Sequence, residues 1–311
     1  MKSCPHIGIH FCVAHPSGRP GPWRAICNNG NGMNGIKTVA LLGAMSALLL
    51  IGGEAFGGRQ GLYLGLGLAF LMNFVGYFFS EKIALRMYSA QPVTETERTP
   101  VYRRVGPLVR NLTMQQGLPM PRLWLIEEPS PNAFATGRDP AHASVAVTTG
   151  LLELLDDREL EGVLAHELGH VRNRDILISS VAAMIATAIT LLARMTFFFG
   201  GRDDNDNRGG GLGMLFMLFL APIAAMLIQM AISRTREYSA DAAAARATGS
   251  PYGLISALQK LEVYSKRIPM DASPATAHMF IIKPFSGQAM MRLFSTHPST
   301  EQRIARLQQA A

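Results

Sequence analysis

Two histidines four residues apart, His166 and His170, enclose a glutamate in the stretch "AHELGHVRNRD" (165–175). On a helix, positions i and i+4 project from one face, so both imidazoles can reach one ion, with Glu167 reaching its open side. Neutral imidazole nitrogens suit zinc, and a carboxylate beside such a site can take a proton from an attacking water. Two ligands are not enough, because a catalytic zinc has three protein ligands and one open position. These five residues alone leave a plain surface pair of histidines open.

A third ligand must come from elsewhere in the chain, and Glu237 in "REYSAD" is the candidate. Asp241 lies four residues on, on the same helical face, where it could accept an imidazole N–H. Acidic pairs on helices mostly just solvate a face. What raises Glu237 above that reading is its place relative to the apolar segments.

Four windows are apolar enough to be read as membrane spans: Thr38 to Gly53, Leu62 to Phe79, Ile176 to Ala193 and Leu212 to Ile232. The first and third could also be buried core helices, since one ends at Glu54 and the other carries serines and ends at Arg194. Basic residues cluster at one set of ends: Lys37, then Lys82, Arg86, Arg98, Arg103, Arg104 and Arg110, then Arg172 and Arg174, then Arg234 and Arg236. The bias of Lys and Arg toward the cytoplasmic side therefore predicts four spans with both termini inside. "EAFGGRQ" and "GRDDNDNRGGGLG" become the extracytoplasmic turns. His170 then precedes the third span and Glu237 follows the fourth, so a hairpin returns the third ligand to the histidines. The net charge of +7 is accounted for by topology, and no aromatic-interleaved basic patch calls for a nucleic acid.

The polar part reads as α+β. "TPVYRRVGPLVRNLTMQQGL" has helical spacing and a stop at Gly117. "RLWLIEE", "NAFATGR" and "ASVAVTTG" read as strands of a small antiparallel sheet. "LLELLDDRELEGVLAHELGHVRNRD" reads as helix, with Asp156 or Asp157 as cap and Glu159 as the capping-box partner of Asp156. "RTREYSADAAAARAT", "PYGLISALQKLEVYS" and "TEQRIARLQQ" are three further helices. Gly169 costs its helix about 1 kcal/mol relative to Ala, which hints at a close neighbour there. His142 and His278 sit in no motif.

Residues 1–32 hold all three cysteines (Cys4, Cys12, Cys27) and three of the eight histidines (His6, His10, His15). Their spacing fits no paired CxxC site, and no apolar run precedes Thr38, so neither a metal knuckle nor a signal peptide is the preferred reading. A disordered extension is expected, with Met33 as a natural start. From Met33 onward there is no cysteine, which suits a reducing compartment.

"PNAFATG", "HELGH", "REYSAD" and "STHPST", with a hydrophobic hairpin between the second and third, resemble the HtpX-type membrane zinc metalloproteases, relatives of the CAAX-processing endopeptidases. The resemblance runs from about Met33 to the C-terminus. It implies a zincin-like domain facing the cytoplasm from the bacterial inner membrane, one Zn2+ per chain, and degradation of damaged or misfolded membrane proteins during stress, with other quality-control proteases as partners. It implies His166, His170 and Glu237 as ligands, Glu167 as general base and Asp241 as the carboxylate orienting a ligand. It also implies that His297 stabilises the oxyanion with Arg303 in support, and that Asn132, Ala133, Phe134, Ala135 and Thr136 form the edge strand that pairs with substrate. The domains expected are an extension (1–32), a membrane hairpin (33–80), a first protease segment (81–175), a second hairpin (176–232) and a second protease segment (233–311). A zinc transporter is the rival, but it would place ligands inside the spans, where only Asn73, Gln229 and hydroxyls occur. A non-catalytic zinc-binding scaffold would have no need of Glu167.

Overall fold

The computed structural model describes residues 30–178, 181, 234–265 and 298–309. The first element, α1 (Gly30–Met87), is two helices joined at Gly58, whose backbone angles (φ 56°, ψ −140°) are non-helical and cheap only for glycine. Two stretches, Ile36–Glu54 and Gly57–Met87, are long and apolar enough to cross a membrane by length and composition. They fold back on each other. A Cβ on Gly53 would stand 2.2 Å from the carbonyl oxygen of Gly61, and one on Gly65 would stand 2.4 Å from that of Leu49. The absence of side chains lets the two backbones touch, as apolar surroundings favour. Deeper in the pair, Asn73 Nδ2 donates to Ser46 Oγ at 2.8 Å.

Both helices run past the sequence windows, the second by several residues at each end. Of the third window only Ile176, Leu177, Ile178 and Val181 are described, the last three packing on Leu41 and Met45 of the first hairpin. The fourth window lies outside the described residues.

Beyond α1 come β1 (Gln91–Val93), α2 (Thr99–Gln116), β2 (Arg122–Ile126), β3 (Ala133–Gly137), β4 (Ala143–Thr148), α3 (Thr149–Leu154), α4 (Asp157–Arg172), α5 (Arg234–Thr248), α6 (Tyr252–Ser265) and α7 (Thr300–Gln308). The strand order is β1-β2-β4-β3. The expected antiparallel sheet is corrected here: β1–β2 and β3–β4 are antiparallel, but β2 and β4 run parallel, so the sheet is mixed. The physical reason is that β3 does not pair with its predecessor β2 but takes the outer place beyond β4, leaving β2 and β4 as parallel neighbours. The expected edge strand also shifts by one residue. Asn132 precedes β3 and is tied to Thr148 through its own N–H and carbonyl, while Gly137 extends the strand.

The sheet's two faces meet different partners, as period-two alternation requires. Val145, Val147, Leu123 and Leu125 join Leu160, Val163, Leu164 and Leu168 of α4 and Leu254 and Leu258 of α6 in the main core. On the other face Phe134, Ala146 and Ile126 pack on Leu85, near the C-terminal end of α1. Glu81 of the same helix accepts from Arg122 Nη2 at 2.6 and 2.7 Å and from Ser144 Oγ, which fastens α1 to β2 and β4.

The stretch 151–175, read as helix, is divided at Leu155 and Asp156 into α3 and α4, and Asp156 caps α4 in the expected capping box with Glu159. Glu159 also accepts from Ser256 Oγ at 2.6 Å and Lys260 Nζ at 2.7 Å, so it ties α4 to α6. Burial opposes its charge, yet Lys260, Ser256 and the Asp156 N–H hold its carboxyl below the usual range. A folded-state pKa below the unfolded value of about 4.3 gives stability that is present above that pH and lost as pH falls through the folded pKa. Glu159→Gln should therefore flatten the fall in melting temperature between about pH 5 and pH 3. An unchanged acid limb would refute this tie.

Candidate metal centre

The helix α4 is aimed by its cap and by the core contacts of Leu160, Leu164 and Leu168, and this leaves His166, Glu167 and His170 on the face turned to α5 and β3. Gly169 sets the distance. A Cβ there would lie 3.1 to 3.3 Å from Ala240 of α5, tighter than ordinary contact. That close crossing carries Glu237, near the start of α5, over the histidines.

His166, His170 and Glu237 each offer a ligand atom, and these atoms lie within 4.8 Å of one another. The two Nε2 atoms are 3.3 Å apart, and Glu237 Oε2 and Oε1 stand 3.6 Å from His166 Nε2 and His170 Nε2 respectively. Each imidazole is held from behind by a carboxylate. Asp241 Oδ1 is 2.9 Å from His166 Nδ1, and Asp175 Oδ2 is 3.2 Å from His170 Nδ1. A carboxylate at Nδ1 puts the proton there and leaves a lone pair on Nε2. Two lone pairs facing each other beside a carboxylate need a cation or a proton among them, so the donor set fits a metal ion. Without one, burial works against the His170 imidazolium, but its bond to Asp175 and the charge of Glu237 overcome this and push its pKa up to about 9.

Asp241 is itself clamped. Arg303 of α7 donates to it through Nε at 2.9 Å and Nη2 at 2.6 Å, and its Nη1 is 3.7 Å from Glu237. Burial opposes the Asp241 charge, while Arg303 and His166 hold its carboxyl below its ordinary value. Arg303, only 2% exposed, thus sits on Asp241 and beside His166 and Glu237. His297, which the resemblance pairs with it, lies outside the described residues, as does His278.

Glu167 is not among the three converging donors. Its Oε2 accepts from the backbone N–H of Ala135 at 2.9 Å, which places the acid between the metal centre and strand β3. Burial pushes the Glu167 carboxyl up. Since the Ala135 N–H points at Glu167, Ala133, Ala135 and Gly137 face away from β4 at the sheet's edge, while Phe134 and Thr136 pair inward with Ala146 and Ser144.

Asp175 and Arg236 were not foreseen. Asp175 is 3% exposed, and Arg236 Nη1 approaches its other oxygen at 3.7 Å. The signal was in the opening stretch, five residues after His170, but it depends on Arg174 adopting φ 58°, which turns the chain back at the end of α4. Non-glycine residues seldom do this, so spacing did not reveal it. His142 belongs to a separate group with Asp139 and Arg138 on the loop after β3.

If Gly169 sets the crossing, Gly169→Val should cost about 1–3 kcal/mol through overpacking and weaken metal binding. Equilibrium dialysis and a melting curve would show it, and an unchanged metal affinity would discount the close crossing.

The model for Peptidase family M48 matches residues 101–311. A protein named "Protease HtpX homolog" from Desulforapulum autotrophicum is 53% identical over 279 residues, covering 88% of this chain and 89% of that one. Those from Desulfatibacillum aliphaticivorans (55% over 280 residues, 88% and 89%) and Burkholderia thailandensis (50% over 281 residues, 89% and 97%) carry the same name. Among solved structures, the crystal structure of S. mikatae Ste24p is similar in fold, with a TM-score of 0.51 at 19% identity. That match takes in 88% of this chain, which spans 65% of the Ste24p chain.

Proposed function

This chain belongs to peptidase family M48 and is a membrane-bound metalloendopeptidase, and from that premise we propose that its metal is zinc, held by His166, His170 and Glu237. The observation that carries the reading is the meeting of those three donors beside Glu167, whose carboxylate touches the edge strand. A transporter or a silent scaffold would not need that acid and is not favoured by the family.

Bound zinc supplies a Lewis acid that activates water and polarises a carbonyl. The chain's own groups do the rest. A substrate segment adds to the outer edge of β3, from Ala133 to Gly137, and is bound through its main chain with little demand on its sequence. Glu167, raised in pKa and desolvated, takes a proton from the attacking water and passes it to the leaving amine. Asp241 and Asp175 keep His166 and His170 in the tautomer that presents Nε2. Arg303 holds Asp241 in place, and His297 is the proposed oxyanion donor.

The site opens to the cytoplasm of the bacterial inner membrane, a placement supported by the Lys and Arg bias at the span ends. Four spans, with residues 1–32 as an extension and the protease domain split as 81–175 and 233–311, complete the proposed organisation. Its substrates are damaged or unfolded membrane proteins, and other quality-control proteases share them. Detergent-purified protein should cleave an unfolded polypeptide, lose cleavage on chelation and regain it with Zn2+. Cleavage that survives chelation would overturn the zinc reading.

A further inference from the structure

The geometry points to a fixed polarity of substrate: this protease takes segments that leave the membrane in the N-to-C direction, so its preferred substrates carry the span before the scissile bond. This rests on the reading of β3 as the substrate-binding edge.

Three contacts place β3 along the membrane helix. The Phe134 ring lies 5.6 Å from that of Tyr88, just past the end of α1. Thr136 pairs with Ser144, whose hydroxyl donates to Glu81. The Arg138 guanidinium, immediately after the strand, lies 5.5 Å from the Phe78 ring centroid. As the strand advances 134, 136, 138, its contacts on the helix fall 88, 81, 78. Four strand steps span about 13 Å, and ten helical residues about 15 Å. The two elements therefore run side by side in opposite directions.

The helix gives the strand a membrane coordinate. Gly57–Met87 has 31 residues, about 46 Å of helix against a hydrocarbon thickness near 30 Å, so roughly ten residues stand outside. The exposed aromatics Tyr77, Phe78 and Phe79, with Lys82 Nζ 5.6 Å from the Phe79 ring centroid, mark the crossing, since aromatic rings and long basic side chains collect at the interface. The C-terminal end of β3 thus points at the bilayer and its N-terminal end points away.

A peptide on the outer edge of β3 pairs antiparallel more stably than parallel. Antiparallel to β3, it runs from the membrane outward. The acid stands at Ala135, three strand steps from Arg138, so the scissile bond lies about 10 Å from the interface. A segment anchored by a span on its C-terminal side would have to loop back before it could pair in that sense.

Two anchored substrates test this, built from one unstructured segment and one apolar span in the two possible orders. They are co-reconstituted in liposomes with the zinc-loaded full-length protein, and the same segment without a span is assayed alongside. The span-first fusion should be cut at least about tenfold faster than its reverse, whose return turn must order two or more further residues. Mass spectrometry should place the cut within roughly the first ten residues after the span. Equal rates, a faster reverse fusion, or cleavage of the free segment with neither fusion cut would each overturn the polarity. Failure to cut even the free segment would instead overturn the peptidase reading beneath it.

Discussion

Glu167→Gln should abolish peptide cleavage while the protein keeps its metal. The substitution preserves shape, and an amide oxygen can still accept from the Ala135 N–H that Glu167 now holds at 2.9 Å. What disappears is the ability to take a proton and return it. General acid–base catalysis contributes about 10²–10⁴ in rate, and in the proposed mechanism one carboxylate serves both halves of the reaction, so the upper end is expected. Glu167 is not one of the three converging donors, hence metal content measured by elemental analysis should stay stoichiometric. The melting temperature should hold or rise, because burial already disfavours the charged form of this acid and the amide removes that cost. Cleavage within tenfold of the parent would sink the assignment of Glu167, and loss of metal would make it a ligand instead.

How much of this was legible follows from the range of each signal. Helix boundaries set by local chemistry were readable: Gly117 ends α2 in a left-handed cap, and Asp156 with Glu159 starts α4. Gly169 announced a close neighbour, and Ala240 is that neighbour. The parallel β2–β4 pairing was not readable, because strand order is decided by long-range packing of Val145, Val147, Leu123 and Leu125 on α4, to which alternation within one strand is blind. At the site, the i, i+4 spacing joined His166 to His170 and the hairpin pointed to Glu237, while Asp175 needed the left-handed turn at Arg174 and Arg236 needed Asp175. Arg303 was expected near the chemistry, but its bidentate grip on Asp241 depends on where α7 docks.

Glu237→Ala is the complementary experiment, expected to remove the metal and leave the fold. Loss of an outer partner such as Asp241 typically costs 10–100-fold in metal affinity, and loss of a ligand should exceed about 100-fold. The fold has reason to survive. Glu237 lies 3.6 Å from each imidazole and 3.7 Å from Arg303, contacts longer than the bonds that hold the centre together. Arg303 keeps both short bonds to Asp241, and Asp241 keeps His166, so the buried Arg303–Asp241–His166 group stays paired. Cleavage should vanish with the metal and return in part at high Zn2+, which Glu167→Gln cannot do. That contrast separates a residue that holds the ion from one that moves the proton. If Glu237→Ala bound zinc as the parent does, the third ligand would have to lie elsewhere, and the close α4–α5 crossing at Gly169 would lose its functional reason.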